Sequence, residues 1–387
     1  MSDPHAGLYV HVPFCARVCP YCDFAVRTGD DRRRRRFTEA LLAEIRLHPP
    51  WEPAFDTLYF GGGTPSRLAP DELGRVLEAL AGRFDFTPGR RTFLEVNPED
   101  VTAARIADWR RLGVSTLSLG VQAFDDAVLK FLGRGHDAAV ACRAVELALA
   151  AGFETVSVDL IYGVPGQDPE MLRRELDRAA DLGVDHLSCY QLTVHAGTRF
   201  GLLARRGRLV EIDQDGQGQL FRLVHRHLAA RGMPGYEASQ FARGPEHRSR
   251  HNTKYWNHTP YLGLGPSAHS FRDRRRWWNL RRVDPYEASV AAGRLPVAEE
   301  EALDAAALAL EALMTGLRTY AGVDLQEIRD RFGVELLPRN GALVERLVER
   351  ELAAFDGRRL VPTLDGLAVA DALAREFEIV PAWGRTR

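Results

Sequence analysis

The chain has 387 residues, 45% of them hydrophobic, and a formal net charge of −2, enough to bury a substantial core and to form one large and one smaller domain. No stretch offers the roughly 18 uninterrupted apolar residues of a membrane span, and the opening MSDPHAGLYV lacks the basic and apolar regions of a secretory signal. The near-neutral charge argues against nucleic acid as the main partner, and five cysteines are too few for a disulfide framework in so long a chain, which points to a reducing, cytoplasmic setting.

The first predicted strand, Leu8–Val12, runs into HVPFCARVCPYCDF, where Cys15, Cys19 and Cys22 are spaced C-x3-C-x2-C. A closed zinc site would want a fourth ligand, usually from a second cysteine pair, and the sequence has none. Three thiolates can instead hold three corners of a cubane 4Fe-4S cluster, leaving one iron without a protein ligand, as S-adenosylmethionine requires for chelation. Arg32 to Arg36 read as a solvated face or helix start before the amphipathic helix Phe37–Leu47. A second strand, Thr57–Phe60, ends in Gly61-Gly62-Gly63-Thr64-Pro65, a loop whose glycines allow close backbone approach to a bound amino acid.

Strands and helices then alternate: helix Pro70–Arg83, strand Thr92–Val96, helix Thr102–Leu112, strand Thr116–Gly120, helix Asp137–Ala151, strand Thr155–Leu160, helix Asp168–Leu182 and strand His186–Gln191. Asp137 is a predicted N-cap, and Gly152 lies just past that helix end. The alternation implies a parallel sheet with helices outside, either an open barrel or a doubly wound sheet, and in both folds ligands collect at the carboxyl ends of the strands. Those ends carry polar groups that core packing does not require: Glu95, Gln122, Arg134 and Asp159. Cys142 and Cys189 sit in apolar patterns and read as buried small hydrophobes.

After Gln191 the pattern loosens around a helix near Gly218–Arg231. Arg272 to Trp278 mixes charge with aromatics; it reads as a surface turn leading into packed tryptophans, with weak contact to a membrane surface or to the propionates of a ligand as the functional option. From Asp284 the chain turns Ala/Leu/Glu/Arg-rich and mostly helical, with a turn-and-strand segment near Asp356–Val369, the pattern of a small winged-helix-like domain. The expected division is therefore a core domain over 1–235, a connecting segment over 236–283 and a helical C-terminal domain over 284–387.

The cysteine loop behind the first strand and GGGTP behind the second together resemble the radical-SAM superfamily. The resemblance implies a partial (β/α)6 barrel, a 4Fe-4S cluster on Cys15, Cys19 and Cys22, and bound S-adenosylmethionine. Within the superfamily the chain is similar to the branch of the oxygen-independent coproporphyrinogen-III oxidases. Tyr9, Tyr21, Gly62, Gly63, Thr64, Glu95, Gln122, Arg134 and Asp159 match that branch's cofactor-contacting positions. Arg134 is suited to the carboxylate of S-adenosylmethionine, and an acid or amide to its ribose or ammonium.

Two departures from the oxidases stand out: Asp23-Phe24 follows Cys22 where they carry a further cysteine, and only fourteen residues precede Cys15 where they carry a long segment. Both features instead resemble the heme chaperone group of that branch, as does H-N-x-x-Y-W at His251-Asn252-Thr253-Lys254-Tyr255-Trp256. This resemblance implies heme ligation by His251, with His247, His258 or His269 as alternative or second ligands. Arg243, Arg248, Arg250 and Lys254 are suited to the heme propionates. The function so implied is delivery of heme to apo-hemoproteins, respiratory enzymes among them, with an electron donor such as flavodoxin or ferredoxin for the cluster and no nucleic acid. The competing expectations are a radical-SAM oxidoreductase that decarboxylates porphyrinogen propionates and, with no appended RNA-binding domain to support it, radical modification of RNA.

Overall fold

The computed structural model describes residues 5–379, so positions 1–4 and 380–387 of the two outer expected domains lie outside the described residues. Six parallel strands form the centre: β1 (Ala6–Val12), β2 (Phe55–Gly62), β3 (Phe86–Val96), β4 (Thr116–Gln122), β5 (Thr155–Tyr162) and β6 (His186–Gln191). Each contains a predicted strand and neighbours the next in order, with Leu8 opposite Leu58 and Val158 opposite Leu187. Burial along β1 and β2 is nearly continuous, as strands covered on both faces must be. Helices α1 (Asp31–Leu47), α2 (Pro70–Arg83), α3 (Ala103–Arg111), α4 (Ala138–Ala150), α5 (Pro169–Asp181) and α6 (Gln214–Ala230) cover the outside, giving the partial (β/α)6 barrel.

Local chemistry sets the helix ends. The Asp137 carboxylate accepts from the Val140 N–H, and Gly152 leaves α4 at φ +71°. Helix α1 begins six residues earlier than the apolar pattern suggested, because Asp30 caps it by accepting from Arg33 N at 2.9 Å; the arginine run is thus its first turns. Cys189 is buried as expected, whereas Cys142 is half-buried, its sulfur 3.3 Å from the Arg178 guanidinium.

The sheet does not stop at the barrel. Beyond β6 it gains β7 (Gln240–Ala242), and beyond β1 it gains β8 (Tyr261–Leu264), β9 (His269–Arg272), β10 (Arg275–Asn279) and β11 (Val297–Ala302), for eleven strands in the order β11-β10-β9-β8-β1-β2-β3-β4-β5-β6-β7. Strand β8 is parallel to β1, with Gly7 opposite Tyr261. The run from Arg272 to Trp278 is a hairpin whose turn residues Asp273 and Arg274 have φ of +51° and +66°, the left-handed pair that a two-residue hairpin needs. Its tryptophans are half-buried, and Trp277 lies 6.0 Å from Trp51. Two of its arginines face the acidic edge strand: Arg275 pairs with Glu300 at 2.6 Å and Arg276 with Glu301 at 3.1 Å.

The second hydrophobic core contains Leu313, Leu317, Val344, Leu347 and Leu360, within helices and a small antiparallel sheet of Val323–Asp324, Ala353–Phe355 and Arg359–Pro362. The expected turn-and-strand near Asp356–Val369 is shorter than predicted: Thr363 caps a helical turn over Leu364–Ala368 instead. Among the described residues no helix is long and apolar enough to cross a membrane.

Candidate functional site

The carboxyl ends of the barrel strands open into a cavity of about 360 Å³. Cys15, Cys19 and Cys22 line it, all half-buried on the loop between β1 and α1. That loop is tied down by parallel pairing of Phe14–Cys15 with Arg27–Thr28 and by the Pro20 carbonyl, which accepts from Phe200 N at 2.9 Å. Among the described residues no His, Cys, Asp or Glu side chains converge as a single-ion site. Three thiols spread around a cavity suit a polynuclear cluster.

Gly62, Gly63 and Thr64 follow β2 and lie against the cysteine loop. The Gly63 N–H donates to the Val12 carbonyl at 2.8 Å, and a Cβ on Gly63 would stand 2.9 Å from the carbonyl oxygens of both Val12 and Phe14. Gly62 has φ +110°, and its Cβ would strike the His11 ring at 2.5 Å. Close packing against the cluster strand therefore dictates both glycines.

Glu95, at the end of β3, accepts from the Tyr59 hydroxyl at 2.8 Å and from Gly62 N at 3.0 Å. Burial, followed by the charge of Asp159, pushes its carboxyl up to about 7, and burial pushes Asp159 to about 6. Two buried carboxyls that resist ionisation are stabilised in their charged form by a cationic ligand. Arg134 donates to Asn97 Oδ1 and to the Gly120 carbonyl, both at 2.8 Å, and its Nη1 lies 3.5 Å from Cys19 Sγ. Its Nε is buried with no partner. Gln122 sits at φ +70°, where the β4–β5 register is irregular, and lines the cavity with Tyr21.

The cavity thus brings together the three cysteines and eight of the residues singled out in sequence: Tyr21, Gly62, Gly63, Thr64, Glu95, Gln122, Arg134 and Asp159. Asn97 and Ser118 also line it, and sequence reasoning missed both. For Asn97 the signal was there, a polar residue directly after β3 in FLEVNP. Tyr9 is elsewhere, inside the barrel, with its hydroxyl 3.2 Å from His11 Nδ1 and its ring stacked on Tyr59.

His251 is farther from the cavity still. It lies on a short helix closing the opposite end of the barrel, 1% exposed. Its Nδ1 is 2.9 Å from Thr57 Oγ1, its Nε2 is 2.9 Å from the Tyr255 hydroxyl, and its ring stacks on Tyr59 at 5.0 Å. Burial pushes it down to about 3, so the imidazole is neutral and both nitrogens are engaged. The neighbouring cations are committed too. Arg250 and Lys254 pair with Asp56 at 3.2 and 2.7 Å, and Arg243 donates to the Val184 and Ala180 carbonyls. Of the four cations expected at propionates only Arg248 makes no ion pair or carbonyl contact among the described residues; it lies over the Tyr236 ring.

Residues 9–197 match the Radical SAM superfamily, and residues 303–369 match the HemN C-terminal domain. The chain is 37% identical over 374 residues to "Heme chaperone HemW" of Mycobacterium tuberculosis (strain CDC 1551 / Oshkosh), covering 95% of this chain and 94% of that one. It therefore belongs to the HemW family of radical-SAM proteins. The HemW of Lactococcus lactis subsp. lactis (strain IL1403) is 31% identical over 97% of this chain and 98% of its own. A murine relative, "Radical S-adenosyl methionine domain-containing protein 1, mitochondrial", is 32% identical over 96% and 87%. Among solved structures, the coproporphyrinogen III oxidase (HemN) of Escherichia coli superposes with a TM-score of 0.82 over 96% of this chain and 90% of that one, at 21% identity, which establishes the shared fold. Membership of the superfamily implies a 4Fe-4S cluster and S-adenosylmethionine, and the glycine cradle, the spread thiols and the unpartnered Arg134 Nε fit both groups.

Proposed function

We propose that the protein is a cytoplasmic heme chaperone, which binds heme and hands it to apo-hemoproteins, respiratory enzymes among them. The observation that carries this reading is the hexapeptide His251–Trp256 in a chain that matches HemW relatives along nearly its whole length. Phe24 in place of a further cysteine speaks against the oxidase reaction.

In this reading Cys15, Cys19 and Cys22 would hold the cluster, which would supply an open iron for S-adenosylmethionine and an electron derived from a donor such as flavodoxin or ferredoxin. The chain's own part is positioning. Arg134 meets the carboxylate of S-adenosylmethionine, with its orientation fixed by Asn97 and Gly120. Glu95 and Asp159 face its positive charge and hydroxyls, and Gly62–Thr64 lets the cofactor approach the backbone. Heme is cargo and needs a second location, because this cavity is committed to the cluster and its ligand. Weak membrane contact gains no support from the hairpin at Arg272–Trp278, whose Arg275 and Arg276 are paired with glutamates.

The test is an anaerobic hemin titration of the cluster-reconstituted protein, followed by transfer to an apo-hemoprotein and an assay with coproporphyrinogen III. Saturable binding with a shifted Soret band, transfer to the acceptor and no turnover are expected. Absence of hemin binding overturns the proposal, and conversion of the porphyrinogen replaces it with the oxidoreductase.

A further inference from the structure

We infer that heme docks in the cleft between the His251–Trp256 helix and the C-terminal domain, with His258 as its iron ligand. The inference rests on the heme-chaperone reading above and says where the cargo sits.

The helix Arg250–Trp256 has two faces. His251 and Lys254 are buried toward the barrel, where every polar atom of theirs described above is satisfied. Thr253 and Trp256, with His258 just after the helix, line a cavity of about 320 Å³ whose far wall belongs to the C-terminal domain. A second cavity of about 240 Å³ lies alongside, and Trp256 and His258 line both, standing as a partition between them.

That partition holds two polar atoms that are buried without a partner, Trp256 Nε1 and His258 Nδ1. Buried polar groups are almost always hydrogen-bonded, so two adjacent exceptions call for an explanation. Moving the indole forfeits no hydrogen bond from its Nε1 and joins the two cavities, one at the small end of the range for ligand pockets and the other below it. The surroundings suit a flat macrocycle with anionic substituents. Tyr236, Trp256 and Phe332 offer rings to its faces. Arg248, without an ion pair among the described residues, offers a guanidinium to a propionate, whereas Arg331 on the same wall already pairs with Glu327 at 3.0 Å and donates to the Asn257 carbonyl.

His258 itself is arranged as a metal ligand. Its side chain is 6% exposed, and its Nε2 lies 3.3 Å from Glu311. Glu311 is held in turn by Arg276 through two bonds of 2.8 and 2.7 Å. Burial alone would raise the Glu311 carboxyl, but the Arg276 fork prevails and brings it down to about 2, so it is an anion. A carboxylate on one ring nitrogen fixes the tautomer and makes the other nitrogen the better donor to iron. His251 has no nitrogen to offer without breaking two hydrogen bonds and leaving the barrel.

The experiment is an anaerobic hemin titration of the cluster-reconstituted protein, read by Soret position and electron paramagnetic resonance, for wild type, His258→Ala, Glu311→Gln, Arg248→Ala and His251→Gln. His258→Ala should weaken binding at least tenfold and change the ligand signature, and added imidazole should restore that signature. Arg248→Ala should weaken binding with an unchanged spectrum. His251→Gln should lower the melting temperature and leave the spectrum alone. An unaltered spectrum in His258→Ala, or loss of the histidine signature in a folded His251→Gln, overturns the inference while heme binding stands. If His258→Ala does not fold, Glu311→Gln decides: a shift of the iron–histidine stretch in resonance Raman supports the assignment, and no shift overturns it. Failure of wild type to bind hemin instead overturns the chaperone reading and the inference together.

Discussion

A methyl group added at Gly63 is the sharpest probe of the cofactor loop. Its Cβ would lie 2.9 Å from the carbonyl oxygens of Val12 and Phe14 and 3.0 Å from Phe14 N. All three atoms are backbone, so no rotamer change can relieve the contact, and the strand must move by about half an ångström to reach normal separation. Overpacking of this kind costs roughly 1–3 kcal/mol, and the rigid neighbours place Gly63→Ala at about 3. Phe14 immediately precedes Cys15, so the shift passes to the first thiol, and a site tolerates only about 0.5 Å of misplacement. Gly63→Ala should therefore lose stability in denaturant titrations and reconstitute with much less iron and sulfide per chain. Gly82→Ala is the control: it lies near the end of α2 with nothing within 4 Å of its added Cβ, and should raise stability by about 0.5–1 kcal/mol with cluster loading unchanged. Full cluster loading and unchanged affinity for S-adenosylmethionine in Gly63→Ala would refute the packing argument.

Arg134→Lys removes the guanidinium whose Nη2 donates to both Asn97 and Gly120 and should raise the dissociation constant for S-adenosylmethionine at least tenfold by calorimetry; an unchanged constant rejects the carboxylate assignment. Lys254→Met strips Asp56, 9% exposed, of one of its two cations and should cost about 2–3 kcal/mol in urea unfolding. Adding Asp56→Asn should recover most of that loss, and strict additivity of the two substitutions refutes the pairing. Burial raises the Glu175 carboxyl to about 7, above its value in the unfolded chain, so the folded state holds its proton longer. Its contribution is complete below about pH 4.5 and declines as pH rises through 7. The advantage of Glu175→Gln over wild type should therefore grow by on the order of 1–2 kcal/mol between pH 5.5 and 8, and an advantage that shrinks contradicts the sign.

The barrel was legible because parallel strands buried on both faces read as short apolar runs and because their ends carry chemistry that packing does not need. Leu8–Val12 and His186–Gln191 are of this kind. The strands added beyond β1 were not legible. Tyr261–Leu264 is four residues long, and Val297–Ala302 reads VAEEEA, every residue exposed. Glutamate is a poor strand former, but a charged outermost strand keeps the sheet from pairing with another chain, so its sequence answers to solubility before propensity. The surroundings of His251 were not legible either: its motif implied a heme ligand, and only the structure reveals that Arg250 and Lys254 are spent on Asp56 and that the imidazole seals the barrel. Contacts such as His251 with Thr57, 194 positions apart, leave no trace in local pattern.

The position of β1 between β2 and β8 has a consequence for how the protein is made. The cysteine loop leaves the ribosome early, yet the strand that carries it keeps one edge bare until Tyr261–Leu264 arrive. Lys254 closes the gap by reaching the His5 carbonyl from 249 positions away, and Glu44 of α1 waits for Gly265 N and Asn279. At about 5–20 residues per second of synthesis, that interval is roughly 10–50 s. For its duration the loop that carries the three thiols follows a strand paired on one edge only, so the frame around the cavity is complete only when the segment from Tyr261 to Asn279 has been added.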